Sequence, residues 1–177
     1  MDRKPVTREE MLKRTAFFDK LQPSSRPLVD AVLPQFQRQI FNIIGGGVTE
    51  DPTMHIPIRD AEGFHLSIVK AEPQKGTGLH DHTTTEVFMP LQGSWAIIWG
   101  SKGENELVLN EWDVVSVPPG VNRGFRNVGA GTGHLLVVLE GTDPGRVAWV
   151  DSVMSAVREK GFDLDERGKI VGGEVGA

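Results

Sequence analysis

The chain of 177 residues contains no cysteine. That absence excludes disulfides, zinc–thiolate sites, iron–sulfur clusters and cysteine nucleophiles together. No stretch approaches 18 consecutive apolar residues, so no membrane-spanning helix is expected. The first residues, "MDRKPVTREEMLKR", are charged and lack the apolar run of a secretory signal. There is no basic stripe, internal repeat or low-complexity run. The formal net charge is −5, which argues against a general nucleic-acid binder. A cytoplasmic protein with no nucleic-acid or membrane partner is the expectation. What the chain has in quantity is turn residues, 21 glycines and 11 prolines. They favour short strands over a helical bundle.

The length suits one domain with extensions, and the pattern suggests three parts. Residues 1–40 read as a helical extension. Thr7 and Glu10 have the form of a capping box, Met11, Ala16, Phe17 and Leu21 follow near helical spacing, and Pro23 ends the helix. A second apolar pattern covers Leu28, Val32 and Leu33. Residues 41–150 read as the β domain, with strands expected every eight to twelve residues: 64–71, about 80–90, 94–100, 106–110, 114–118, 122–128 and 134–141. That rhythm indicates an antiparallel sandwich or barrel. Residues 151–177 read as a helix capped at Gly161, then a small hairpin or loop at 162–171.

The stretch "GLHDHTTTEVFMPLQG" (78–93) carries the chemistry. His80 and His82, two apart on a strand, point the same way. Glu86 has the same parity but would lie about 20 Å from His80 along a straight strand. One metal can reach all three only if "TTT" contains a turn or a sharp curve. Spacing alone leaves open a metal site or a polar strand.

Two linked motifs resemble those of the cupin superfamily. The first is Gly76 or Gly78, His80, His82, Glu86 and Gly93. The second is "WDVVSVPPGVNRGFRN" (112–127), where Pro118, Gly120 and Asn127 fall in place and Trp112 stands at the usual glycine. The resemblance covers about residues 62–141. It implies an all-β core, an antiparallel double-stranded β-helix or jelly-roll barrel, with N-terminal helices and a C-terminal helix around it. It also implies a divalent metal held by His80, His82 and Glu86, with Fe, Mn, Zn and Ni not distinguished.

The family's third histidine is replaced by Arg123. A guanidinium stays protonated and has no lone pair to give a metal. A dication about 6 Å from it is repelled by about 5 kcal/mol at an effective dielectric near 20, of which Glu86 offsets about half. Three arrangements remain. Arg123 aims away from a metal, or it pairs with Glu86 in the metal's stead, or it anchors a carboxylate or phosphate of a ligand. Pairing with Glu86 would argue against metal chemistry.

His65, on the opposite face of its strand from Phe64, Leu66 and Ile68, reads as a surface or interface residue if that apolar face lines the core. His134 reads as a turn-end histidine, and nothing places His55. Parity puts Phe88 with Glu86 and Phe125 with Arg123, and Trp99 with Trp95 and Ile97. Arg123, Phe88, Trp99 and Phe125 are therefore candidate ligand-binding residues, with plain core packing the competing account of the aromatics. "SWAIIW" and "HLLVVLE" are apolar on both faces, so something beyond the barrel covers them, the N-terminal helices or a partner. A homodimer is expected. The functional expectation is a metal-dependent cupin, an oxygenase or isomerase acting on a small anionic substrate. The alternative is a non-catalytic, metal-free cupin that binds a small molecule, with Arg123 paired to Glu86. No basic helix-turn-helix segment supports a regulator.

Overall fold

The structure is a computed structural model that describes residues 4–60 and 62–173. Ten strands form two five-stranded sheets. The first has the order β1 (Gln39–Ile44), β2 (Phe64–Ala71), β9 (Gly133–Glu140), β4 (Glu86–Gln92), β7 (Val115–Val117). The second has the order β10 (Ala148–Trp149), β3 (His80–Asp81), β8 (Arg123–Asn127), β5 (Trp95–Trp99), β6 (Asn105–Leu109). All the strand pairs are antiparallel. Apart from the consecutive pairs β1–β2 and β5–β6, neighbours in the sheets are distant in sequence, which is the jelly-roll arrangement of two facing sheets. Phe88, Trp95, Ile97, Phe125 and Leu135 pack between them as the main core.

The strand expected from about His80 to Pro90 is broken at residues 82–85. Its first part, β3, belongs to one sheet and its second, β4, to the other. The "TTT" turn carries the chain between the two. Gly93, after β4, takes a φ of +79° in the turn to β5. Trp112 occupies the motif's glycine position and keeps its left-handed backbone, φ +73°, although it is not glycine. That conformation costs a non-glycine residue about 1 kcal/mol, and the indole gains little back, being 68% exposed.

β2 corrects the expectation for His65. Its inward residues are His65, Ser67, Val69 and Ala71, whereas Phe64, Leu66 and Ile68 face out. His65 is buried, accepting from Gly47 N through Nδ1 at 3.2 Å, with Nε2 3.1 Å from Thr142 O. The inner wall is mixed near the barrel mouth, so the more apolar face is not the inner one.

The N-terminal helices are shorter than the spacing suggested. The Thr7–Glu10 capping box forms, but α1 covers only Arg8–Leu12 and buries no residue. Phe18–Lys20, Val29–Val32 and Pro34–Phe36 are single 3-10 turns. Helices this short need tertiary packing to extend, and α1 has none. The C-terminal helix, α2 (Asp151–Glu159), does form, followed by the hairpin β11 (Phe162–Leu164) and β12 (Ile170–Gly172). Its Val153 and Val157 pack with Val29 and Leu33 in a second core. Among the described residues no helix is long and apolar enough to cross a membrane.

Asp30 and Arg38 tie the N-terminal segment to the chain that enters β3. Arg38 Nη2 donates to Asp30 Oδ1 at 2.9 Å and Nη1 to Oδ2 at 3.1 Å, both side chains being wholly buried. Asp30 Oδ2 also accepts from Thr77 Oγ1 and Gly78 N. Removing one partner leaves the other charge buried alone. Asp30→Ala is therefore expected to cost about 3–5 kcal/mol in urea denaturation. A loss under about 1 kcal/mol would mean that Arg38 finds water or another partner on its own.

Candidate functional site

His80 stands on β3 directly opposite Arg123 on β8. His82 lies in the turn after β3, where its carbonyl accepts from Gly120 N at 2.9 Å. Glu86 opens β4 on the facing sheet. The jelly roll thus folds the 20 Å of straight strand back on itself. One nitrogen from each histidine and one Glu86 oxygen lie within 4.8 Å of one another. All three residues are buried, and Arg123 is 0% exposed.

Arg123 Nε donates to Glu86 Oε2 at 2.9 Å, and Nη1 donates to Val121 O at 3.0 Å. Nη2 has no partner, nor has His82 Nδ1. His80 Nδ1 sits 2.8 Å from Gly78 O. A carbonyl only accepts, so Nδ1 carries the proton and Nε2 keeps its lone pair. The Trp149 ring packs 5.2 Å from the His80 ring, which is itself 4.9 Å from that of His82.

Burial, and next the neighbouring His82, hold His80 well below its ordinary value. Burial, and next the Arg123 guanidinium, bring His82 down to about 3. Both imidazoles are neutral at pH 7. Burial pushes the Glu86 carboxyl up, with Arg123 pulling the other way.

The site opens on a cavity whose walls include Leu28, Ile40, Val48, Val69, Val137 and Leu139. Its volume is about 50 Å³, which suits a compact ligand. Phe125 lines it, whereas Phe88 lies behind Phe125 in the core, ring centroids 5.6 Å apart, outside the lining. Trp99 pairs with Arg123 across β5 and β8, half-buried and also outside the lining. Arg123 reaches the cavity through Glu86, which does line it. His134 is remote, bonded to Gln92 and packed beside Phe18.

Several lining residues were not singled out from the sequence: Arg38, Asn42, Ser67, Thr77 and the loop Gly47–Thr49. Ser67 would have followed from an inward polar face on β2. For Arg38 no local signal existed, because its partners are made by the fold. Glu50 pins the loop, Oε1 accepting from Trp149 Nε1 at 2.9 Å while Oε2 accepts from Val29 N. Burial pushes its carboxyl up to about 7.

A divalent metal finds three donors of the right kind here, two neutral imidazoles and a carboxylate. The charge fits less well. Ligands about 2.1 Å from a metal lie about 3.4 Å apart in a tetrahedral site, and His82 Nε2 and Glu86 Oε2 are 3.8 Å apart, near that spacing. That same Oε2 already holds Arg123. A metal would have to share Glu86 with a buried guanidinium that cannot be deprotonated. As the side chains stand, the cation on Glu86 is Arg123.

His82 also makes the fold sensitive to acid. The unfolded chain takes up this proton near the ordinary histidine value of 6.5, the folded one only at about 3. Its stabilising effect is therefore complete above the unfolded value and drains away as pH falls towards the folded one. His82→Gln is expected to flatten the loss of stability between about pH 6 and about pH 4 by roughly 1 kcal/mol per pH unit. Urea denaturation across that range checks it, and an unchanged slope would show His82 already protonated in the fold.

No known family profile and no curated protein sequence matches the chain. Solved structures do. The polyketide cyclase RemF from Streptomyces resistomycificus is similar over 77% of this chain and 84% of its own, at 17% identity and a TM-score of 0.57. A cupin 2 domain-containing protein from Halorhodospira halophila is similar over 69% and 77%, at 18% identity and a TM-score of 0.52. The oxalate decarboxylase of Lactobacillus farciminis matches over 78% of this chain and 36% of its own, at 15% identity and a TM-score of 0.55. Two facing sheets and these neighbours agree on the fold: the chain folds as a jelly roll of the kind seen in cupin-domain proteins.

Proposed function

We propose that the barrel is a metal-free binding pocket for a small molecule, with the Arg123–Glu86 pair standing where a metal would otherwise bind. The observation that carries this reading is the 2.9 Å bond from Arg123 Nε to Glu86 Oε2, between two buried side chains. Such a charge-assisted bond is strong and directional. It uses the oxygen closest to His82 Nε2. It also leaves both histidines as neutral hydrogen-bonding groups facing the cavity.

A second reading has its own support in the three donors gathered within 4.8 Å and in the bare Nε2 of His80. There His80, His82 and Glu86 hold a divalent metal, and the activity is that of an oxygenase or isomerase on a small anionic substrate. The metal would supply Lewis-acid or oxygen-activating chemistry. Arg123 would orient the anion, and the cavity would keep water out.

Elemental analysis of tag-free protein, beside an Arg123→His variant, separates the two. The metal-free reading expects wild-type protein well short of one metal per chain and a gain in Arg123→His, which restores a ligand. Stoichiometric metal in wild type that disappears in His80→Ala would overturn it.

The outer face of the first sheet supports assembly through a second copy. Leu66, Ile68, Leu136 and Val138 are only partly buried there, with Phe64 40% exposed beside them. Light scattering is expected to give twice the chain mass for wild type and the single mass for Val138→Arg. A wild type that stays single would remove the dimer.

A further inference from the structure

The charges around the cavity cancel. His80 and His82 apart, its lining residues bring charge only at Arg38 and Glu86. Each has its opposite immediately behind the wall, Asp30 for Arg38 and Arg123 for Glu86. Neither cation is free to turn inward. Arg38 Nη1 donates to Asp30, Phe36 O and Gly76 O, and Nη2 to Asp30. Arg123 is committed to Glu86 and to Val121 O.

An ionised ligand would therefore enter among Leu28, Val48, Val137 and Leu139 with no unpaired counter-charge to meet it. Burying an ion without a partner costs several kcal/mol. Single hydrogen bonds remain on offer. His80 Nε2 is an acceptor, since Nδ1 carries the proton towards Gly78 O, and the residue lines the cavity. His82 Nδ1 is buried without a partner.

We propose that the cavity selects a compact, uncharged molecule, with an apolar body and a hydroxyl or amide group that donates to His80 Nε2. This rests on the metal-free reading, because a dication would add charge that only an anion could balance. Carboxylate and ammonium or amidinium analogues of the same shape are rejected. The selection is electrostatic, not steric.

Isobutyramide, isobutyrate and isobutyramidinium share one shape and differ in charge. Titrating each into chelator-treated full-length protein, followed by 1H–15N spectra, is expected to show the amide binding at least about tenfold tighter than either ion. An ion that binds as tightly as the amide, or no binding by any of the three, overturns the proposal. Glu86→Gln leaves Arg123 uncompensated and is expected to shift the preference towards isobutyrate, with circular dichroism confirming its fold. An unchanged preference in the folded variant also counts against the proposal, and the wild-type series decides alone if the variant does not fold. Metal content is measured separately on protein as purified. Metal there, with the amide still preferred after chelation, defeats the metal-free reading and leaves the ligand class standing. An empty protein that prefers isobutyrate defeats the ligand class alone.

Discussion

The contact between Arg123 and Glu86 constrains everything around it. It joins β8 of one sheet to β4 of the facing sheet through a single 2.9 Å bond. A guanidinium cannot shed its proton, so a positive charge is fixed at this depth. The rest of the site is arranged to tolerate it. Glu86 balances it, and His82 is driven neutral by burial and next by it. His80, across from Arg123 on β3, keeps its one proton on the side of Gly78. The site that results is polar without carrying net charge.

The same solution is used a second time. Asp30 and Arg38 are both wholly buried and make a two-bond pair, with Thr77 and Gly78 completing the carboxylate's acceptor sites. This pair anchors the N-terminal segment over the entrance to β3. It does so without a long helix, which explains how single 3-10 turns suffice there. Glu50 does similar work at the roof, where Trp149 and Val29 donate to its carboxylate, yet burial lifts it to about 7. Desolvation outweighs the two donors because neither carries a charge. The cavity is thus enclosed by polar contacts whose partners come from widely separated parts of the chain.

Much of the barrel was legible in the sequence. Strand rhythm gave the hairpin of β5 and β6, the turn at Pro119–Gly120 and the return of β9. The need for a turn between His82 and Glu86 followed from strand rise alone, and the structure places it at 82–85. Two kinds of feature were not legible. The direction of β2 was misjudged because its apolar Phe64, Leu66 and Ile68 face outward, and alternation shows two faces without saying which is inner. The N-terminal helix was overextended because periodicity reports which residues could share a face, not whether anything covers it. Phe88 and Trp99 share the parity of site residues but sit outside the cavity lining. Parity fixes a side of the sheet and not a depth along it.

By itself the sequence determined the chemical inventory: two histidines, one carboxylate, a permanently charged arginine in place of a third ligand, and two motifs that place them in one barrel. Residue type alone fixes what each group can donate, accept or ligate. Tertiary structure decided which partner each group took. Glu86 and Arg123 are 37 residues apart, and Asp30 and Thr77 are 47 apart. Such contacts depend on how the sheets face one another and on how much water remains between them. Burial then turned three competing arrangements of one arginine into a single neutralised pair, and that pair sets the charge of the cavity.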